Sequence, residues 1–249
     1  MSVDITAVMT AHAEGSMAAA SLRSFHQAIR HARSQGLIVE SMVILDRPTA
    51  PTLSLLATDE LVEGARHQVD FGDQGLARNH ALGLARGRYI AFLDADDLWM
   101  EAWLSRAYDF CEGQGAPVVA HPQFNYYFEG RAVIFEHIDM ADPDFDLDQL
   151  RLVNYWDALA FCPRTIHERF PYRIREMDKG YAYEDWYWNC QTVSAGIIHK
   201  IVPDTVVFKR RRPDSQTVRA HHNKATVRCH GLSSYSAAAY VTEVAKDAG

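Results

Sequence analysis

An apolar segment that runs straight into a cluster of carboxylates is the feature that most restricts this fold. Residues 89–93 (YIAFL) read as a buried strand, and Asp94, Asp96 and Asp97 follow within four positions. A buried carboxylate without a partner is costly, so the cluster is expected at the strand's carboxyl end, facing a cleft where a cation neutralises it. Mg²⁺ or Mn²⁺ suits an all-oxygen site and often bridges carboxylates to substrate phosphates. The cluster therefore favours a metal-dependent enzyme that handles a nucleotide-linked substrate.

Strands and helices alternate through the first half of the chain. Apolar spacing predicts strands at residues 5–10, 41–45, 67–71 and 89–93, and helices at 16–33, 52–61 and 76–86. Such alternation predicts a mostly parallel sheet with helices on both faces, which binds ligands at the carboxyl ends of its strands. Residues 10–14, Asp46 and residues 94–97 are three polar groups at those ends.

The second half of the chain is less regular. It predicts helices at residues 103–111, 184–194 and 232–248, and strands at 117–121, 132–135 and 197–202. Residues 139–148 hold five aspartates and a proline, which indicates an exposed loop. A basic run, KRRR, occupies residues 209–212.

Composition and charge argue against a nonspecific nucleic-acid-binding protein, a disulfide-rich protein and a membrane-spanning protein. The 25 Lys and Arg residues against 32 Asp and Glu give a net charge of −7, which disfavours nonspecific binding to nucleic acid. Four widely spaced cysteines form no CxxC pair, which indicates reduced thiols in a cytoplasmic protein. We see no signal peptide in residues 1–10, and no run approaches the roughly 18–20 apolar residues of a membrane span. Peripheral attachment at the inner face of the membrane stays open.

Two stretches carry a resemblance to a known family. Residues 75–97 (GLARNHALGLARGRYIAFLDADD) resemble the core of family 2 glycosyltransferases with the GT-A fold, in which an ARN-x-x-L helix leads into a G-x-Y-I-x-F-L-D-x-D-D strand. Residues 183–188 (YEDWYW) are similar to that family's ED-x-x-W acceptor motif. The resemblance covers the order of elements from Val3 to about Arg212. Its central motif is specific, whereas a bare D-x-D would be weak.

The resemblance implies an inverting enzyme that moves a sugar from a nucleoside-diphosphate sugar to an acceptor hydroxyl. It favours UDP as the nucleotide and leaves guanine and thymine open, with a saccharide or lipid-linked acceptor in surface polysaccharide biosynthesis. It also implies an α/β fold of GT-A type, with a Rossmann-like central sheet in a single domain over residues 1–249. Residues 1–110 would bind the nucleotide sugar, and residues 111–249 would bind the acceptor in a less regular region.

Site residues follow from the resemblance position by position. The nucleotide-binding residues would be Thr10, Ala11, His12, Glu14, Asp46, Arg78, Asp94 and Ala95. Among these, Asp46 would accept a hydrogen bond from the base, Asp94 would contact the ribose, and Arg78 would approach the phosphates. Asp96 would hold the metal, Mg²⁺ or Mn²⁺, with Asp94 beside it. Asp185 would be the catalytic base, preceded by Glu184.

The chain departs from the family pattern in three places. The first loop lacks the family's proline and asparagine, and residues 47–49 (RPT) replace an aspartate and Gly-Ser after Asp46. Arginine stands where an R-x-H loop would supply a histidine to the metal, so either a protein ligand is missing or His221 or His222 replaces it.

Structural roles are the alternatives for these residues. Asp96 or Asp97 could cap a helix over residues 98–108, and the acidic pair at 184–185 could cap the helix that follows it. Asp46 could be a turn former, Arg78 a solvated helix residue, and residues 209–212 a solvated surface rather than a clamp on the phosphates.

Two other functions remain open at the level of the sequence. Phosphoryl or nucleotidyl transfer also uses aspartates and Mg²⁺, although no G-x-x-x-x-G-K-[ST] loop is present. A domain that binds a nucleotide sugar without turning it over would fit the altered first loop.

Overall fold

The computed structural model describes residues 2–57, 65–130, 132–213, 215–228 and 230–233. The strands are β1 (Ile5–Ala11), β2 (Val39–Asp46), β3 (Ala65–Val69), β4 (Tyr89–Asp94), β5 (Leu98–Trp99), β6 (Val118–Phe128), β7 (Val133–Glu136), β8 (Phe161–Pro163), β9 (Tyr181–Ala182), β10 (Ile198–Arg210) and β11 (Thr226–Val227). The helices are α1 (Ala18–Ser34), α2 (Ala50–Ala57), α3 (Gln74–Leu84), α4 (Trp103–Glu112), α5 (Leu147–Leu150), α6 (Arg164–Arg169), α7 (Glu184–Ser194) and α8 (Gln216–His222).

A central nine-stranded sheet organises the molecule, in the order β3-β2-β1-β4-β8-β6-β10-β5, with β7 paired to β6. Strands β3, β2, β1 and β4 are mutually parallel, and β6 and β10 form a second parallel pair. The short strand β8 joins the two groups through antiparallel contacts. The mostly parallel α/β sheet predicted from the alternation is thereby confirmed. Strands β9 and β11 form a separate small sheet.

Helices cover both faces of the sheet, and this explains why β1 is buried along its whole length. On one face, Met9 of β1 belongs to the same core cluster as Phe25 of α1. On the other face, Val8 belongs to a second cluster with Ala77 of α3. Successive side chains of a strand point to opposite faces, so a strand between two helical layers is buried at every position. The two threonines of β1, Thr6 and Thr10, both have side-chain hydrogen bonds.

Gly87 brings the chain from α3 across the start of β1. A Cβ atom at this position would lie 2.3 Å from the backbone nitrogen of Thr6, closer than any side chain can approach. The Gly87 N–H donates to the Thr6 hydroxyl at 2.8 Å. This close crossing sets where β4 begins, and hence where its acidic end emerges.

Several predicted elements differ from the observed ones. The helix predicted at residues 103–111 is confirmed as α4, but the short strand β5 between it and the acidic cluster was not predicted, and the alternative helix over residues 98–108 is wrong. The sequence predicts that this strand ends at residue 202, but β10 continues to Arg210 and includes half of the basic run. Helix α2 ends at Ala57, and residues 58–61 of its predicted span lie outside the described residues.

Other predictions concern the less regular parts of the chain. Residues 141–144 form the exposed turns expected of the acidic loop, whereas Asp139 and Phe145 are half-buried and α5 begins at Leu147. Of the helix predicted at 232–248, only 232 and 233 are described, and they lie in a 3-10 turn. Cys111, Cys162 and Cys190 are buried free thiols, whereas Cys229 lies outside the described residues. Among the helices described, none is long and apolar enough to cross a membrane.

Candidate active site

The first loop and the acidic cluster meet at the carboxyl ends of β1 and β4. The two strands pair in register, with Thr10 opposite Asp94. The Thr10 hydroxyl donates to an Asp94 carboxylate oxygen at 3.0 Å, and the Ala95 N–H donates to the Thr10 carbonyl at 2.9 Å. Gln74, at the start of α3, also donates to Asp94. The expected grouping of these polar strand ends is therefore present.

His12 ties the first loop to the neighbouring strand. Its ring nitrogen Nδ1 lies 2.6 Å from the Asp46 carbonyl oxygen, and its backbone N–H donates to the Glu14 carboxylate at 2.6 Å. Ala11, between Thr10 and His12, is buried as the last residue of β1. The loop is thus folded back on itself at the carboxyl ends of β1 and β2.

Asp46 uses its carboxylate to hold a loop. Its two oxygens accept the backbone N–H groups of Phe71, Gly72 and Asp73 at 2.8, 2.9 and 2.8 Å. This loop leads directly into α3, whose first turn is capped by Asp73 through a 3.0 Å bond to the Leu76 N–H. The structural alternative for Asp46 therefore has direct support, and its contact with a base stays a prediction.

Arg78 connects the two acidic regions that the sequence singled out. Its side chain is only 1% exposed, and its guanidinium binds Asp94 at 2.9 Å and Glu184 at 3.1 Å. Although burial opposes ionisation of Asp94, the Arg78 charge lowers the pKa of that carboxyl below its ordinary value. The interpretation of Arg78 as a solvated helix residue is wrong, because its side chain is buried and its guanidinium is paired with two carboxylates.

Asp96 and Asp97 are surrounded by cations from the end of β10. Arg212 contacts Asp96 at 2.9 Å, and Lys209 contacts Asp97 at 3.3 Å. Burial, together with the neighbouring Asp94 charge, raises the pKa of Asp96 to about 6. Burial raises the pKa of Asp97 to about 7, although Lys209 opposes this shift.

The capping role considered for these aspartates is wrong. The residue that precedes α4 is Ala102, and no side chain caps that helix. Asp97 instead accepts the Arg210 N–H at 2.9 Å, which fixes the end of β10 against the acidic cluster. The basic run is likewise not simply solvated, because Lys209 and Arg212 both face carboxylates.

Asp157 is a site residue that the sequence did not reveal. It lies 3.3 Å from Lys209 and accepts a 2.8 Å hydrogen bond from Asn125. Burial opposes its ionisation, but the Lys209 charge prevails and holds the pKa of Asp157 at about 2. Residues 154–157 (NYWD) have no regular spacing or known motif that would have marked this carboxylate.

The candidate base, Asp185, lies in the first turn of α7. Asn154 donates to its carboxylate at 3.3 Å. Burial and then the neighbouring Glu184 charge raise the pKa of Asp185 to about 7. Glu184 itself is held by Arg78 and, at 3.8 Å, by Arg175. The residue that precedes α7 is Tyr183 and no side chain caps that helix, so the capping alternative for the pair is wrong. The two carboxylates lie in the first turn and have separate partners.

Asp94 and Asp96 have a donor set that fits a hard divalent cation. The negative charge of Asp94 is balanced by its ion pair with Arg78. The pKa of Asp96 is raised, so the cations around Asp96 only partly offset the effects of burial and of the nearby Asp94 charge. Within the described ranges, no three His, Cys, Asp or Glu side chains converge as a complete cation cage. His221 and His222 lie exposed in α8. One or two carboxylates plus substrate phosphates are a usual ligand set for Mg²⁺.

Solved structures resemble this fold at low sequence identity. TarS residues 1–349 from S. aureus, in complex with UDP-GlcNAc, match with a TM-score of 0.67 and 16% identity, over 97% of this chain and 64% of that one. The mannosyltransferase PcManGT from Pyrobaculum calidifontis, in complex with GDP-Man and Mn²⁺, matches with a TM-score of 0.58 and 15% identity, over 84% and 57%. These matches confirm the GT-A fold.

Comparison with protein sequences identifies the family to which the chain belongs. An Escherichia coli protein, the UDP-Glc:alpha-D-GlcNAc-diphosphoundecaprenol beta-1,3-glucosyltransferase WfaP, is 47% identical over 86 residues. That segment is 34% of this chain and only 30% of the relative's length. The family model for glycosyl transferase family 2 matches residues 6–173, which is more than half of the chain and includes the strand ends described above. The chain therefore belongs to glycosyl transferase family 2.

Proposed function

We propose that this protein is an inverting glycosyltransferase that moves a sugar from a nucleoside-diphosphate sugar to an acceptor hydroxyl. The observation that carries the proposal is the position of Arg78 between Asp94 and Glu184. This buried cation holds the acidic end of β4 next to the acidic start of α7. A donor group at the first and a proton acceptor at the second would face one another across a short distance.

The donor would bind on the side of β1 and β4. Thr10 fixes one oxygen of Asp94, and the loop at residues 11–14 would line the nucleotide pocket. Asp96, with Asp94, would hold Mg²⁺ or Mn²⁺, which supplies positive charge to a diphosphate when bound. Arg212 would contact the same phosphates, because a guanidinium suits bidentate pairing with phosphate oxygens. The leaving diphosphate would then be stabilised by charges fixed in advance.

Asp185 would accept the proton of the acceptor hydroxyl. A carboxylate with a pKa near 7 is ionised in a large fraction at neutral pH and is a stronger base than an ordinary aspartate. Its Asn154 partner holds the side chain without adding a positive charge. Attack on the face of the sugar opposite the leaving group would invert the anomeric centre.

The relatives indicate which substrates to try first. TarS was solved with UDP-GlcNAc, and the WfaP name specifies UDP-Glc with a diphosphoundecaprenol-linked acceptor. We therefore place UDP sugars first among donors and lipid-linked or free saccharides among acceptors, in surface polysaccharide biosynthesis at the inner face of the membrane. The donor would be bound by residues 1–110 and the acceptor by residues 111–249.

Calorimetry with UDP, GDP and dTDP, each in Mn²⁺, in Mg²⁺ and in EDTA, tests the donor side. We expect UDP to bind in the presence of a divalent ion, and Asp96→Ala to lose that binding. Asp178→Ala is a matched control, because it removes an exposed aspartate outside the cluster. If Asp96→Ala binds UDP as tightly as the wild type, the assignment of the metal to Asp96 fails. If UDP sugars bind but are never hydrolysed or transferred, the protein is a binding domain and the catalytic proposal fails.

A further inference from the structure

A chain of two carboxamides leads to the candidate base Asp185. The Nδ2 of Asn189 donates to the Oδ1 of Asn154 at 2.9 Å, and the Nδ2 of Asn154 donates to an Asp185 carboxylate oxygen at 3.3 Å. Asn154 is half-buried next to the base, whereas Asn189 is only 1% exposed. No role described above accounts for a buried carboxamide at Asn189.

Helical geometry places Asn189 over the turn that contains Asp185. The two residues are four positions apart in α7, and side chains at that spacing lie on the same face of a helix. Side chains of a helix also point back toward its amino end. Asn189 therefore faces the first turn of α7, and residues 154–157 lie beside that turn, where they contact both Asn189 and Asp185.

A backbone carbonyl fixes the direction of this chain of hydrogen bonds. The Nδ2 of Asn189 also donates to the Trp156 carbonyl oxygen at 3.1 Å, and a carbonyl oxygen can only accept. The nitrogen of the Asn189 carboxamide therefore faces residues 154–157, and Asn154 presents its oxygen to it. The nitrogen of the Asn154 carboxamide is then directed toward Asp185, whose ionised carboxylate also only accepts.

Asn189 has a polar atom that packing alone does not explain. Its Oδ1 is buried and has no hydrogen-bond partner among the residues that the structure describes. A buried polar atom without a partner is destabilising, and an apolar side chain of similar volume would avoid that cost. The favourable contacts of this carboxamide are the two hydrogen bonds that its nitrogen donates. This contrast favours a role for the donor group.

A neutral donor of fixed orientation suits a carboxylate that must act as a base. A cation in the place of Asn154 would lower the pKa of the Asp185 carboxyl and weaken it as a base. The Asn154 amide instead restricts the rotation of the carboxylate without adding a charge. Its effect depends on its own orientation, and the contact with Asn189 fixes that orientation.

We infer that Asn189 is a positioning residue for the general base and acts on Asp185 through Asn154. The inference rests on the proposed function, because it takes Asp185 as the base. A base that is already oriented needs less reorganisation when the acceptor hydroxyl arrives, and this contribution belongs to kcat. Asn189 would not touch the nucleotide, so the KM for the donor should not depend on it.

Hydrolysis of UDP-glucose and of UDP-N-acetylglucosamine in Mn²⁺, with water as the acceptor, tests the inference. Asn154→Ala should lower kcat about 10- to 100-fold and change the donor KM by less than about twofold, because it leaves the base misoriented. Asn189→Leu should lower kcat in the same way but by a smaller factor. Gln27→Ala is the control, because it removes an exposed carboxamide from α1.

A double variant distinguishes positioning from a purely structural role. If Asn189 acts through Asn154, adding Asn189→Leu to Asn154→Ala should change kcat by less than about twofold, because residues that act as one unit are not additive. A structural role in α7 would lower kcat by the same factor in both backgrounds. That additive result, or an Asn189→Leu variant with the kcat of Gln27→Ala, overturns the inference. Asn189→Ala removes the same donor group and replaces Asn189→Leu if the latter does not fold.

Asp185→Asn, assayed in parallel, separates the two proposals. If Asp185→Asn is inactive while the Asn154 and Asn189 variants are fully active, the positioning inference is wrong and the base assignment stands. If Asp185→Asn hydrolyses the donor as the wild type does, the base assignment is wrong and the inference is wrong with it. A wild type that hydrolyses neither donor would remove the proposed function together with the inference.

Discussion

The two acidic regions of this site are built alike but differ in their surroundings. In each, one carboxylate is bound to Arg78: Asp94 in the first and Glu184 in the second. In each, a carboxylate within two positions has a raised pKa, about 6 for Asp96 and about 7 for Asp185, with burial as the main cause. One buried cation therefore matches only part of the negative charge on each side.

The two regions differ in the groups that face their remaining carboxylates. Asp96 is paired with Arg212, and the adjacent Asp97 is paired with Lys209. Asp185 has the neutral Asn154 amide instead. We propose that the carboxylates that face cations bind a metal and phosphates, and that Asp185, whose hydrogen-bond partner is neutral, accepts a proton. On this proposal the same residue type would serve two tasks because the neighbouring charges differ.

The largest expected effect comes from removing the basic carboxylate on the acceptor side. Asp185→Asn should reduce transfer or donor hydrolysis by about 10²–10⁴-fold, because it would remove the proposed general base. UDP binding, measured by calorimetry, should be unchanged, since Asp185 would not touch the nucleotide. Asp178→Asn makes the same chemical change at an exposed position and should be fully active. Wild-type turnover in Asp185→Asn would contradict the assignment of Asp185 as the general base.

Removing the shared cation should damage both acidic regions together. Arg78→Met leaves Asp94 and Glu184 without their buried partner, and we expect a loss of about 3–5 kcal/mol in the free energy of unfolding in urea. Arg86→Met is the control, because that side chain is 75% exposed in its pair with Glu40 and should cost at most about 1 kcal/mol. Equal losses in the two variants would mean that Arg78 does not hold the regions together.

The pH dependence of turnover should distinguish the base from an ordinary aspartate. Burial raises the pKa of Asp185 to about 7, and a base acts only when ionised. Activity should therefore fall as the pH decreases through 7, and the ionised fraction should drop about tenfold between pH 8 and pH 6. Initial rates at saturating donor and metal measure this. A rate that is constant from pH 8 down to pH 5 contradicts the assignment.

The smallest expected effect concerns the cation that faces Asp96. Without nucleotide, Arg212→Gln should bind Mn²⁺ about two- to fivefold more tightly, because a partly exposed ion pair contributes up to about 1 kcal/mol. Electron paramagnetic resonance of free Mn²⁺ measures this directly. Arg211→Gln is matched in charge, and its guanidinium lies over the Tyr127 ring at 4.3 Å instead. Unchanged or weaker binding in Arg212→Gln would show that Arg212 does not compete with the metal.

The spacing of apolar residues predicted most elements in the first half of the chain and, in the second half, helix α7. Helix α7 has the predicted bounds, and the first predicted strands fall within two residues of β1 and β2. Prediction missed β5, the short strand between the acidic cluster and α4, although the start of α4 itself is as predicted. Leu98 and Trp99 pair there with Val207 and Phe208 of β10, a partner more than 100 positions away. A local reading of helix caps cannot include such a contact.

The sequence by itself determined the apolar strand that delivers three aspartates to the edge of a parallel sheet, because the period of apolar residues fixes which side chains are buried. The tertiary structure decided what each carboxylate does. Arg78 and Glu184 are 106 positions apart, and Lys209 joins Asp97 to Asp157 only through the packing of β10. A charge's basicity depends on its neighbours in space, and those neighbours come from distant parts of the chain.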